Sequence, residues 1–354
     1  MQHVYCGATC GGVRRWRTID AVGCRFYAWV VSFAAVAVAV AGNADAATLK
    51  VFVAPRPAGN DQNSGLSVQR PLASLGRVQE LLQARGLCTG GQADEVEVHI
   101  APGTYRRQEI HWTCFTGAAI TFTALNFDKQ RPVFDGGGST FYWLWAKEPG
   151  VEARLRFRYI RVLGYCTAME FRGVNGVDLY GMYFESIGDR RPLDGAAVTC
   201  TKPTAAVAFN NSSRNRVANS HFVKVVNFDA GARAIHALYI SHGASNNAIE
   251  RNRFVEISGD PVKVRDGSNH NRVFANHFHR AGHLAYFLDG FDATRECPSF
   301  GNTFSSNHLY GGFKGGISPT HVQHEPLSQE IILRCGKPTV PRVQVADNVI
   351  HPST

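Results

Sequence analysis

His236-Ala237-Leu238-Tyr239-Ile240-Ser241-His242-Gly243 is followed 24 residues later by Asp260-Pro261-Val262-Lys263-Val264-Arg265-Asp266-Gly267. The two stretches continue in step. Asn247-Ala248-Ile249 and Asn252-Arg253-Phe254 correspond to Asn271-Arg272-Val273 and Asn276-His277-Phe278 at the same offset. Such a repeat decides the architecture, because a unit this short cannot bury its own apolar face and must stack on its neighbours. Fainter copies flank the pair. Met169-Glu170-Phe171 leads to Leu179 and Phe184, and Val207-Ala208-Phe209 leads to Val217 and Phe222. Downstream, Asn302-Thr303-Phe304 leads to Asn307 and Leu309, and Val345 leads to Asn348 and Ile350.

The segments are short, alternating and rich in β-branched residues, with Gly, Asn and Ser between them, which reads as brief strands joined by turns. A period of 24 predicts one coil of an all-β, single-stranded parallel β-helix, with coils about 4.8 Å apart. A leucine-rich repeat has a similar period, but its leucine consensus is absent. Leu238, Ile240, Ile249 and Phe254 should point inward. Asn252, Asn276, Asn307 and Asn348 should occupy turns, each bonding to neighbouring backbone and to the Asn of the next coil.

Residues 48–135 resemble the opening of the pectin-lyase-like superfamily of right-handed β-helix proteins. The resemblance is carried by Val51-Phe52-Val53-Ala54-Pro55, Gly59-Asn60-Asp61, Ser64-Gly65, Pro71-Leu72-Ala73-Ser74-Leu75, and Val98-His99-Ile100-Ala101-Pro102-Gly103-Thr104-Tyr105. It implies that a helix near Ser74–Arg85 caps the open end of the coil. A cap also has a physical use, since a bare end coil would pair with another molecule. The expected organisation is a leader over 1–46, a cap and first coils over 47–135, and further coils with a C-terminal cap over 136–354.

The leader rests on Arg14, Arg15, Arg17 and Arg25, an apolar run from Phe26 to Ala41, and Ala44-Asp45-Ala46. This order of charge, apolar core and small-residue site describes a secretory signal cleaved near Ala46, and predicts a secreted or periplasmic protein without stable membrane insertion. The alternative is an uncleaved anchor, for which the run is short against the ~20 residues that span a bilayer. Cleavage would move the formal charge from +9 to +7, a moderate basic excess that favours an acidic partner without identifying it. Six cysteines would remain: Cys88, Cys114, Cys166, Cys200, Cys297 and Cys335. An even number in an exported chain favours disulfides, and we expect sequential pairing among the 15 connectivities.

Strand alternation turns two columns of side chains outward on one face. One reads Glu170, Ala208, Tyr239, Lys263 and Phe287. The other reads Arg172, Asn210, Ser241, Arg265 and Asp289. Any single outward cation on a strand is more often merely solvated, but a mixed stripe over consecutive coils suits an extended acidic polysaccharide. The reaction that the resemblance implies for such a polymer is β-elimination. A base removes the uronate C5 proton while a fixed cation neutralises the carboxylate. Lys263 beside Arg265 could supply both, because a close like charge depresses the lysine pKa. Tyr239 is the candidate proton donor. His236 and His242 could replace Lys263 as base, with Asp260 and Asp266 as their stacked partners. Glu170, Arg172, Asn210, Ser241, Asp266 and Asp289 are the candidate substrate-binding residues.

Family signatures are largely missing. The adjacent aspartates, Gly-His-Gly and Arg-x-Lys of polygalacturonase-like hydrolases are absent, and so is the Asp-Pro-His-Asp of alginate epimerases. Calcium is a candidate cofactor by resemblance, although the dense acidic cluster of pectate lyases is not present. His277, His279 and His283, or His321 and His324, are weak metal candidates. No phosphate-binding loop, dinucleotide fingerprint or nucleophile elbow occurs, and nucleic acid is not an expected partner. Two alternatives stand beside the lyase: a non-catalytic glycan-binding or envelope β-helix, and a hydrolase using Glu170, Asp189, Asp194 and Asp289.

Overall fold

A computed structural model describes residues 48–89, 95–115, 118–138, 140–188, 200, 203–315 and 322–352. The leader, Asp189, Asp194 and His321 lie outside the described residues. Among those described, the strands form three parallel sheets of ten, eight and nine strands. Each coil gives one strand to each sheet. Ala248–Glu250 lies in the ten-stranded sheet, Arg253–Ile257 in the nine-stranded sheet and Val262–Arg265 in the eight-stranded sheet. The next coil repeats the order with Arg272–Phe274, His277–Ala281 and Phe287–Gly290. Parallel neighbours one coil apart make a β-helix, and crossovers between parallel strands are right-handed in nearly all proteins.

The register follows the 24-residue repeat. Leu238 pairs with Val262, Tyr239 with Lys263 and Ile240 with Val264. Leu238, Ile240, Ile249 and Phe254 are fully buried. Inside the nine-stranded sheet Phe184, Phe222, Phe254 and Phe278 stack at successive centroid distances of 4.9, 5.1 and 4.7 Å. Offset stacking at this spacing adds to what burial alone contributes.

Asparagines hold the corners. Arg251 (φ 53°) and Ala275 (φ 56°) adopt the left-handed conformation and reverse the chain immediately before Asn252 and Asn276. The Asn252 amide donates to Asn276 Oδ1, the Asn276 amide to Asn307 Oδ1, and the Asn307 amide to Asn348 Oδ1, each at 2.9 Å. A second ladder, not anticipated, runs through Asn215, Asn247, Asn271 and Asn302 at 2.8–3.0 Å. Each rung satisfies a buried amide and a buried side-chain oxygen together, which avoids the cost of leaving either unpaired.

One helix, α1 (Leu75–Ala84), starts at Ser74, whose hydroxyl accepts from the Arg77 amide. It buries Leu75, Val78 and Leu82 in the same apolar cluster as Val51, Val53 and Tyr105. Three disulfides join Cys88–Cys114, Cys166–Cys200 and Cys297–Cys335, the sequential pairing expected. No helix among the described residues is long and apolar enough to cross a membrane.

After Phe278 the repeat slips by one residue, and this corrects the columns. Phe254 to Val262 spans eight positions, whereas Phe278 to Phe287 spans nine. The extra residue falls where Asp260 Oδ1 accepts the backbone amides of His283, Leu284 and Ala285. The register therefore sets Leu288 beside Lys263 and Gly290 beside Arg265. Phe287 and Asp289 fall on the buried side, because a one-residue shift exchanges the faces of a strand. Asp289 has no exposed surface and lies against Arg342, Nε to Oδ2 2.7 Å.

Candidate functional site

The outward face of the eight-stranded sheet carries two linked clusters. In the first, Glu170 is nearly buried and accepts on Oε1 from Arg172 Nε (2.5 Å) and Asn210 Nδ2 (2.7 Å). Tyr142 also bonds to Glu170; burial first, and then the Glu170 charge, push its phenol well above the ordinary tyrosine range. Ser241 Oγ donates to Asn210 Oδ1 at 2.5 Å, and His242 Nδ1 lies 2.8 Å from Ser241 Oγ.

This chain fixes a tautomer. The Arg172 and Glu170 charges orient Asn210 with its amide nitrogen toward Glu170, so its oxygen faces Ser241. Ser241 has spent its proton on that oxygen and can only accept from His242. The Nδ1 of His242 therefore carries hydrogen and donates to Ser241 Oγ. The His242 side chain is 62 % exposed, with Nε2 4.0 Å from Asp266 Oδ2. Beside it opens a groove of about 560 Å³ lined by Lys147, Pro149, Arg172, Gly173, Asn210, Asn211 and His242. The groove exists because the register shifts after Arg172, so that Val174 meets Val151 and Glu148–Gly150 bulges outward. Gly173 (φ 71°) permits the bulge; a Cβ there would stand 2.7 Å from Glu148 O.

The second cluster begins on the strand that carries Ser241 and extends to the next one, where Arg265 continues the column of Arg172, Asn210 and Ser241. Arg265 grips Glu296 with both ends of its guanidinium, Nε to Oε2 2.9 Å and Nη2 to Oε1 2.5 Å, and donates through Nη1 to Tyr239 Oη at 3.2 Å. Lys263 is held below the ordinary lysine range, chiefly by burial and then by Arg265. Burial also raises the Tyr239 phenol, against the opposing pull of Arg265, so it keeps its proton at neutral pH.

Among the expected residues, Tyr239, Lys263 and Arg265 share one patch, while Arg172, Asn210 and His242 line the groove, with Ser241 buried behind Asn210 and Asp266 near His242. His236 stacks on Tyr239, ring centroids 5.7 Å apart, but does not reach the surface. It is 2 % exposed, lies beneath the face, and bonds through Nδ1 to the backbone carbonyl of Asp260 at 2.7 Å. The expected His236–Asp260 carboxylate pair does not form, because that carboxylate is occupied by the 283–285 amides. Burial, with Lys263 nearby, lowers the His236 pKa to about 3. Glu296 and Lys147 were not anticipated. Glu296 belongs to the non-repetitive segment after Phe291, where no periodic signal exists. Lys147 follows the alternation of Tyr142-Trp143-Leu144-Trp145 and aligns with Arg172.

The donors do not suit a calcium ion. Glu170, Asp266 and Glu296 each face a cation or imidazole already, and among the described residues no group of three or more His, Cys, Asp or Glu is placed to hold a metal. His277 and His279 instead stack on His308 and Tyr310 at 4.6 and 4.0 Å.

No protein-family model and no curated protein sequence matches the chain. Several solved structures resemble it. An alginate lyase from Paenibacillus sp. str. FPU-7 is 13 % identical with a TM-score of 0.48, covering 86 % of this chain and 96 % of that one. The pectate lyase Pel9A is 14 % identical with a TM-score of 0.45, over 86 % and 77 % of the two chains. A rhamnogalacturonan lyase is 14 % identical with a TM-score of 0.42, over 78 % and 66 %. The likeness is one of fold. The chain's own three parallel sheets make it a parallel β-helix, with the right-handed crossover that parallel strands take in nearly all proteins. At this identity no activity of those proteins passes to it.

Proposed function

We propose that this β-helix is an exported polysaccharide lyase that cleaves a uronate polymer lying along the eight-stranded sheet. The observation that carries the reading is the exposed His242 imidazole, tied through Nδ1 to the Ser241–Asn210–Glu170 chain at the edge of a groove lined by the two cations Lys147 and Arg172. Export is supported by three disulfides, which persist in oxidising compartments.

The roles follow from charge. Arg172 and Lys147 hold the uronate carboxylate and neutralise the charge that builds as C5 loses its proton. His242 Nε2 takes that proton. The C5–H pair becomes the C4–C5 double bond, the C4–O bond breaks, and the departing oxygen takes a proton from Tyr239 Oη. Arg265, held by Glu296, steadies the resulting phenolate, and Lys263 binds the next carboxylate along the chain. His242→Ala should lower turnover by roughly 10²-fold or more, the scale of a lost general base. Ultraviolet detection of unsaturated uronate on polygalacturonate and alginate would measure it. Full turnover in His242→Ala with none in Lys263→Ala would move the base to Lys263.

A second reading, glycan binding without turnover, is favoured by one observation: Arg265 is already saturated by Glu296. It predicts polymer binding and no unsaturated product from any acidic polysaccharide.

A further inference from the structure

The outward faces of the other two sheets differ in one respect. On the ten-stranded sheet the guanidiniums alternate with acids: Arg158 meets Asp178, and Arg216 meets Asp178 and Glu250. On the nine-stranded sheet one outward column reads Arg161, Tyr183, His221, Arg253, His277 and His308 over six consecutive coils, paired in register throughout. No acid interrupts it. The rings lie along the column, Tyr183 on His221 at 5.4 Å and His277 on His308 at 4.6 Å. Arg253 is exposed and has no carboxylate partner among the described residues. At the column's start Arg131, Arg161, Tyr183, Gln130 and Val133 line a cavity of about 380 Å³. Arg131 meets the Gly181 carbonyl there and, among the described residues, no acid. Arg161 pairs with Glu185 through its tip, but its buried Nε has no partner. Buried donors left unpaired are rare enough to require a cause.

We propose that this column is a second binding track for an acidic polysaccharide, on a different sheet from the groove. Six rungs at about 4.8 Å give a track of about 24 Å, straight and parallel to the coil axis. That shape fits a linear polyanion better than a flat headgroup surface. Cations meet its carboxylates beside imidazole and phenol rings that contact its sugars, and Arg131 and Arg253 have no carboxylate partner among the described residues. Three disulfides point to an oxidising compartment, which favours polysaccharide over nucleic acid. The track requires no turnover, so it stands or falls apart from the lyase reading.

The test is binding of the full chain to immobilised polygalacturonate and alginate, with single-stranded DNA and phosphatidylserine vesicles as competing probes. Arg253→Glu touches an exposed residue with no ion pair and should leave folding intact. It should weaken polysaccharide binding at least tenfold and flatten its salt dependence, with turnover on a short oligouronate unchanged. Tyr183→Ala should weaken binding as well; if it fails to fold, Arg253→Glu decides. Unchanged affinity in Arg253→Glu overturns the track, as does a wild-type protein that binds neither polysaccharide. Preference for DNA or vesicles overturns the partner class. Loss of binding in Arg253→Glu without turnover in any variant keeps the track and removes the lyase.

Discussion

The coils between His236 and Ala281 and the chain that follows them solve the same packing problem by different means. In the first region a fixed period places Leu238 over Val262 and Asn252 over Asn276, and identical neighbours satisfy one another. In the second the period slips, and what then reaches the interior is the carboxylate of Asp289, with Arg342 brought in from a distant segment to meet it. Repetition makes burial of polar groups cheap because each amide finds its copy one coil away. An irregular insertion has no copy and must import a counter-charge.

The largest expected effect tests that distinction. Asp289→Ala strands the Arg342 charge in a buried site and should cost about 3–5 kcal/mol, read by chemical denaturation at pH 7. A loss below about 1 kcal/mol would mean that the slipped coil is not held by this pair.

The two regions should also respond to acid in opposite senses. Buried His236 has its pKa lowered from 6.5 to about 3, so the stability from keeping it neutral is present above 6.5 and lost as pH falls toward 3. Asp289 is raised from 3.8 to about 6, mainly by burial and despite Arg342, so the folded state holds its proton more tightly. Its contribution is present below 3.8 and lost as pH rises through 6. Between pH 7 and 4 the two contributions oppose one another, so each masks part of the other in the wild-type profile. His236→Gln should unmask the Asp289 contribution, giving a protein that gains stability relative to its own pH 7 value on acidification. Denaturation midpoints at both pH values measure this; equal slopes in the variant and wild type would refute it.

The smallest effect concerns the groove. Ser241→Ala frees His242 to adopt either tautomer and should reduce turnover about tenfold while leaving the midpoint within about 1 kcal/mol, since one neutral hydrogen bond is lost. If turnover is unaffected, the Ser241–Asn210–Glu170 chain does not set the base.

What was legible in the sequence follows the same division. Leu238, Ile240, Phe254 and the Asn252 ladder could be read because periodicity is a property of the chain itself. The three disulfides could be read from an even count and neighbouring coils. The groove could be read only partly: Arg172, Asn210 and Ser241 sit in copies of the repeat, but the bulge that opens beside them depends on Gly173 and a register slip. Glu296 and the inward turn of Asp289 were hidden because both depend on insertions whose lengths carry no pattern. The burial of His236 was legible as well, since it shares the parity of inward-facing Leu238 and Ile240.

The two asparagine ladders also make the coil a unit of substitution. Asn247 and Asn271, and likewise Asn252 and Asn276, are separated by one period, so excising or duplicating 24 residues between them would leave both ladders closed and the Phe254–Phe278 stack in line. The outward side chains carried by that period would go with it, including Lys263 and Arg265. Such a chain can lengthen, shorten or exchange its working faces one coil at a time while its interior still meets an interior of the same shape.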